Sequence, residues 1–193
     1  MIIYYTHNFT GGRDTSHELL KMAIGDLLGD HEEAAYLTAH MTTSGDNGKP
    51  VIKGFRHFSI SHSCNTWAVL FADGECGLDV QYYRPCRMYQ IAQRLFDPED
   101  LDAFLMEPDE DSFFCIWARR ESLIKAVGGS ITAEDVPSVA ECKAFYSGRN
   151  WYIRDIQIPG ADKYAAAVCT GRRIKDKKIE FRELKTDRNN AIK

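Results

Sequence analysis

The chain has 193 residues, a formal net charge of −4, and 44% hydrophobic against 27% charged residues, the balance of a soluble globular protein long enough to bury a core. The acidic balance argues against general nucleic-acid binding, and no basic-then-apolar leader or membrane-length apolar run is present, so a cytoplasmic protein without nucleic-acid or membrane partners is expected. Its six cysteines, at 64, 76, 86, 115, 142 and 169, form no Cys-x-x-Cys pair, which argues against structural zinc or a disulfide framework and for reduced, mostly buried thiols.

In chain order, Ile2-Ile3-Tyr4-Tyr5 predicts a short strand. Residues 14–28 predict an amphipathic helix, with Leu19, Leu20, Ala23, Ile24, Leu27 and Leu28 at helical spacing. The run Thr43 to Pro50, rich in Gly, Asn, Asp and Ser, predicts a loop. Phe58 to Ser63 alternates like a half-buried strand. Trp67 to Phe71 and Gly77 to Gln81 flank Asp73-Gly74 and predict a hairpin. Residues 86–95 predict a helix, and Pro98 opens a second short one after Asp97. Strands are expected near 140–146, 150–158 and 163–169, with one more at 178–184. From Arg172 onward there are nine Lys/Arg against four Asp/Glu, a basic tail on an otherwise acidic chain.

The stretch Phe113 to Gly129 organises the rest. Phe113, Ile116, Leu123, Ile124 and Val127 form one stripe, and Gly128-Gly129 supplies a stop. At about 100° per residue, Trp117, Glu121, Lys125 and Gly128 align beside that stripe. A carboxylate and an ammonium one turn apart are commonly a solvated pair contributing about 0.3–0.5 kcal/mol. A second polar pair gives them more interest: in Gly77-Leu78-Asp79-Val80-Gln81, strand alternation sends Asp79 and Gln81 to one face.

Gly48-Lys49-Pro50, Ser61-His62-Ser63, Gly77-x-Asp79-x-Gln81 and Trp117-x-x-Arg120-Glu121-x-x-x-Lys125-x-x-Gly128 form an ordered series. With Ile91-Ala92-Gln93-Arg94-Leu95-Phe96 between the last two, it resembles the 4′-phosphopantetheinyl transferases, specifically their larger, pseudodimeric, surfactin-synthetase-activator-like branch. The resemblance implies an α+β fold of two similar halves related by a pseudo-twofold. Each half would be a small antiparallel sheet packed on a long helix, with the active site between them. Residues 1–74 would form the first half and 75–175 the second, followed by the tail 176–193. A monomer is expected, since both parts of the site lie on one chain.

The same resemblance implies transfer of 4′-phosphopantetheine from coenzyme A to a serine of an apo acyl or peptidyl carrier protein, with release of adenosine 3′,5′-bisphosphate. Mg²⁺ would be held by Asp79, Glu121 and Gln81, and Asp79, Glu121 and Lys125 would be catalytic. Lys49, Ser61, His62 and Lys125 would bind coenzyme A, with Ser61 and His62 at its 3′-phosphate. Three positions depart from the family pattern: Gln81 where Glu is common, Arg120 where Lys is common, and Ser59 after Phe58 in place of Asn. Gln81 reduces the charge offered to the metal. A coenzyme A- or carrier-binding relative without turnover, and a metal-dependent phosphohydrolase, are the alternatives.

Overall fold

A computed structural model describes residues 1–44, 48–129, 136–173 and 179–185. The chain is α+β, with two four-stranded sheets and five helices among these residues. The first sheet is built from β1 (Ile2–Thr6), β4 (His57–Ser63), β5 (Thr66–Ala72) and β10 (Glu180–Glu183), in the order β10-β1-β5-β4. The second is built from β6 (Cys76–Tyr82), β7 (Lys143–Tyr146), β8 (Arg149–Asp155) and β9 (Tyr164–Thr170), in the order β6-β9-β8-β7. All pairings in these two sheets are antiparallel except β1 with β10, which is parallel.

Alternation along the strands explains how the layers stack. In β1 and β5, Tyr4, Trp67, Val69 and Phe71 face the long helix α1 (Arg13–Leu28) through Leu19, Leu20, Ala23 and Ile24. Ile3, Tyr5, Ala68, Leu70 and Ala72 face the other way and pack on Cys76, Leu78, Val80, Ala166 and Val168 of the second sheet. The far side of that sheet, with Ala165, Ala167, Cys169 and Trp151, is covered by α5 (Glu110–Val127) through Phe113, Ile116, Leu123 and Ile124. The two long helices therefore lie outside and the sheets meet inside. β5 is buried along all seven residues because both of its faces are covered.

Several expectations are corrected. Trp67–Phe71 and Gly77–Gln81 are strands, but they do not form a hairpin: β5 pairs with β1 and β4, whereas β6 pairs with β9. β5 has neighbours on both edges, so the Asp73-Gly74 turn carries the chain from one sheet to the other. The true hairpin is β4–β5, closed at Cys64-Asn65, with Cys64 at φ 53°. The predicted loop 43–50 is flanked by a small ladder, β2 (Thr42–Ser44) on β3 (Lys49–Val51); its residues 45–47 lie outside the described residues. Strand β8 ends at Asp155, so Ile158 lies in the connection to β9. An unpredicted helix, α2 (His31–Ala39), follows α1, capped by Asp30 accepting from the amides of Glu32 and Glu33.

Helix α3 (Met88–Leu95) and helix α4 (Pro98–Met106) match the two predicted short helices, α4 with Asp97 as N-cap. The basic tail supplies β10 on the edge of the first sheet. There Arg182 donates to the Tyr4 hydroxyl at 2.8 Å and to Asp26 of α1 at 3.1 Å. Tail residues 176–178 and 186–193 lie outside the described residues.

Candidate functional site

The site forms where α5 crosses β6. Helix α5 starts at the N-cap Asp109, whose carboxylate accepts from Ser112 N, and ends at Gly128, φ 76°. It lies directly on Gly77: a Cβ there would stand 1.9 Å from the Ser122 carbonyl oxygen and 2.6 Å from Ala126 N. Only glycine permits this approach, which brings the 121–125 turn of α5 over Asp79, two residues further along β6.

Asp79 is 1% exposed and its carboxylate is the hub. Lys125 donates to Oδ1 at 2.6 Å, Ser61 donates to Oδ1 at 2.9 Å, and Gln81 Nε2 donates to Oδ2 at 3.0 Å. Lys125 also donates to Ser61 Oγ at 2.9 Å. Strand β4 thus contributes Ser61, β6 contributes Asp79 and Gln81, and α5 contributes Lys125.

Glu121 stands one helical turn before Lys125. Burial, and secondarily the negative charge of Asp79, push its carboxyl up to about 7, with Lys125 acting in the opposite direction. The Glu121 carboxyl thus resists ionising in a partly dry place beside the Asp79 carboxylate. A hard divalent cation would relieve that repulsion, since Mg²⁺ is commonly held by one or two carboxylates plus substrate oxygens and water. Among the described residues no group of three or more His, Cys, Asp or Glu is assembled for a metal. The oxygen donors at hand are the Asp79 and Glu121 carboxylates and the Gln81 amide, chemistry suited to a hard divalent cation that takes its remaining ligands from elsewhere.

His62, next to Ser61 but on the opposite face of β4, packs on Phe9 with ring centroids 4.8 Å apart. Partial burial, then the Lys125 ammonium, hold its imidazole below the ordinary value, so at neutral pH it is an uncharged hydrogen-bonding ring. Lys49 stands apart from the cluster. Its ammonium donates to Cys76 O at 2.8 Å and Ala126 O at 3.2 Å, stitching β3 to the start of β6 and the end of α5. Burial lowers its pKa.

The structure thus joins Asp79, Gln81, Ser61 and Lys125 by hydrogen bonds and sets Glu121 beside them. Sequence reasoning missed the packing role of Gly77, the Phe9 platform, and the partner of Arg120. That guanidinium, 4% exposed, is buried against Asp100, 0% exposed, at 2.8 Å. Asp100 also accepts from Ser138 Oγ at 2.9 Å and Val139 N at 2.8 Å. Glycine at 77, ahead of a polar alternation, was the visible signal for close helix approach; Arg120 gave none.

Comparison with known proteins agrees with this geometry. Residues 75–169, which contain Gly77, Asp79, Gln81, Glu121 and Lys125, match the model of the 4′-phosphopantetheinyl transferase superfamily. The chain is 34% identical over 92 residues to the 4′-phosphopantetheinyl transferase psf-1 of Bacillus pumilus, covering 45% of this chain and 39% of that protein. It is 31% identical over 114 residues to the 4′-phosphopantetheinyl transferase AcpT of Salmonella typhimurium, covering 51% and 59%. It is 33% identical over 91 residues to the 4′-phosphopantetheinyl transferase Sfp of Bacillus subtilis (strain 168), covering 44% and 40%. In each case the match spans less than two thirds of the relative. Residues 75–169, with the Asp79–Glu121–Lys125 cluster inside them, are thus the part of the chain that matches the 4′-phosphopantetheinyl transferase superfamily.

Proposed function

We propose that this protein is a Mg²⁺-dependent transferase that moves 4′-phosphopantetheine from coenzyme A to a serine of an apo acyl or peptidyl carrier protein, releasing adenosine 3′,5′-bisphosphate. The observation that carries this proposal is the convergence of Glu121 and Lys125 from α5 on Asp79 and Gln81 of β6. Its support from relatives lies in their shared name as 4′-phosphopantetheinyl transferases.

Asp79, Glu121 and the Gln81 amide would hold Mg²⁺, which when bound neutralises charge on the pyrophosphate. Glu121, directly or through one water that it orients, would take the proton of the incoming serine hydroxyl. The Lys125 ammonium, already oriented by Asp79 and Ser61, stands ready to stabilise charge developing on the bridging phosphate oxygen. His62, neutral and packed on Phe9, offers a ring N–H to the nucleotide's 3′-phosphate. Among the described residues, two of the three Lys49 ammonium donors meet carbonyls, and the remaining one is assigned to the nucleotide.

We further propose that residues 1–74 and 75–175 are two similar halves related by a pseudo-twofold, acting as a monomer in the cytoplasm with coenzyme A between them. The outer placement of α1 and α5 on two inward-facing sheets supports that arrangement. The test is incubation with coenzyme A, Mg²⁺ and a panel of apo carrier proteins, read by intact mass. A gain of one phosphopantetheine on a carrier serine is expected. No gain on any carrier would refute the proposal, and free phosphopantetheine released without an acceptor would assign the cluster to phosphohydrolysis instead.

A further inference from the structure

We propose that Ser61 is a positioning residue for Lys125 and Asp79, and that Ser59, Ser61 and Ser63 together form a hydroxyl seam fixing the first sheet against the second. The Ser61 part rests on the transferase reading above; the seam does not.

One edge of β6 is joined to β9 by backbone pairing. On the other edge, the amides of Leu78, Val80 and Tyr82 donate to Ser59 Oγ at 3.0 Å, Ser61 Oγ at 3.1 Å and Ser63 Oγ at 2.9 Å. The partner shifts by two residues on both strands at each step, so β4 and β6 run in the same direction, with hydroxyl oxygens standing where a neighbouring strand would place carbonyls. Spacing of two along β4 puts the three serines on one face, the face whose β5 partners are Leu70, Ala68 and Thr66. Ser59 is 4% and Ser61 3% exposed, so they are not the solvated side of a half-buried strand. A buried amide left without an acceptor costs more than the bond it would make contributes. Three such amides on one edge demand three acceptors, and the serines supply them.

Ser61 does more than its neighbours. A hydroxyl has one donor and two acceptor lone pairs. Here the donor goes to Asp79 Oδ1, and the lone pairs take Val80 N–H and the Lys125 ammonium. No capacity remains for a phosphate oxygen, in contrast to the nucleotide contact that the family resemblance implies for this position. What Ser61 controls is the placement of the ammonium and the carboxylate relative to each other and to β6.

The test compares Ser61→Ala and Ser61→Thr with wild type, using coenzyme A and its analogue lacking the 3′-phosphate as donors. As a positioning residue, Ser61→Ala lowers kcat by about tenfold or more, by the same factor on both donors, with KM changed by less than about twofold; Ser61→Thr, which keeps the hydroxyl, recovers most of the rate. A rise in KM confined to coenzyme A, with the analogue unaffected, would make Ser61 a phosphate ligand and overturn the assignment. If Ser61→Ala does not fold, Ser61→Cys, similar in shape with a poor acceptor, carries the same comparison. Amide exchange tests the seam without any assay of activity. Ser59→Ala and Ser63→Ala should lower protection of the Leu78 and Tyr82 amides respectively by about tenfold to a hundredfold; unchanged protection overturns the seam. A wild-type protein that modifies no carrier refutes the transferase reading while leaving the exchange result to decide the seam.

Discussion

Glu121→Gln should stabilise the folded protein while abolishing transfer. In the fold, burial and the nearby Asp79 raise the Glu121 carboxyl from an ordinary 4.5 to about 7. A carboxyl that keeps its proton longer in the folded state favours folding fully below about pH 4.5, and that contribution fades as pH rises through about 7. Above that, the folded protein carries a carboxylate that would be better accommodated in water. The displacement corresponds to about 3 kcal/mol as an upper figure, and relaxation with partial hydration brings the expected effect to about 1–3 kcal/mol. The neutral amide that replaces the carboxyl in the variant avoids this cost.

Urea or thermal unfolding without metal should show the variant and wild type nearly equal near pH 4.5, with the variant ahead by about 1–3 kcal/mol at pH 8.5, a rise in Tm of about 2–10 °C for a chain of this size. Mg²⁺ with coenzyme A should narrow the gap by stabilising the wild type alone. A difference that does not change with pH, or a variant less stable than wild type at pH 8.5, would refute the claim that Glu121 is held in an environment hostile to its charge. Retention of most transferase activity by Glu121→Gln would refute its catalytic assignment.

Gly77→Ala should be severely disruptive, because its Cβ would meet the α5 backbone at 1.9 Å; loss of soluble expression or of a cooperative transition checks this. Asp100→Ala should cost about 3–5 kcal/mol by leaving the buried Arg120 unpaired, and the double variant Asp100→Leu with Arg120→Met should recover part of it in urea unfolding. Gln81→Glu should lower the Mg²⁺ concentration for half-maximal rate, with Gln81→Ala as control; no change in either would place Gln81 outside the metal's reach. In the stretch after β6, Tyr83 stacks on Phe114 with ring centroids 5.2 Å apart, beside Arg84 and Arg87. Arg87→Glu, like added salt, should slow carrier modification through weaker capture of an acidic carrier helix, and unchanged kinetics in both would leave this patch as solvated surface.

The elements that carry their own signal were legible. Helix α5 shows its stripe and its Gly128 stop, and the alternation around Asp79 gives both the strand and the face on which Gln81 lies. Pairing was not legible, because the Asp73-Gly74 turn looks the same whether the next strand returns to β5 or leaves for another sheet. Only the occupancy of both β5 edges decides it. Helix α2 escaped because Tyr36 is 63% exposed while Ala34 is fully buried, leaving no strong stripe; its Asp30 cap with Glu32 and Glu33 in the first turn was the available clue. In the site, residue types pointed to Asp79, Glu121 and Lys125. Which partners they would have depended on contacts across 18 and 64 residues of sequence, beyond the reach of local periodicity.

The parallel pairing of β10 with β1, Ile2 opposite Glu180 through Tyr5 opposite Glu183, sets an order on biosynthesis. The second sheet draws its strands from Cys76 to Thr170, so it can close while the ribosome is still working on the tail. The first sheet has three strands ready by Ala72 yet waits for about a hundred residues more before its outer strand arrives, with the edge of β1 open meanwhile to misplaced partners. The segment around Arg182 thus acts as a latch, and shortening the chain before it would leave a nascent protein whose helix α5 is seated but whose first sheet never closes.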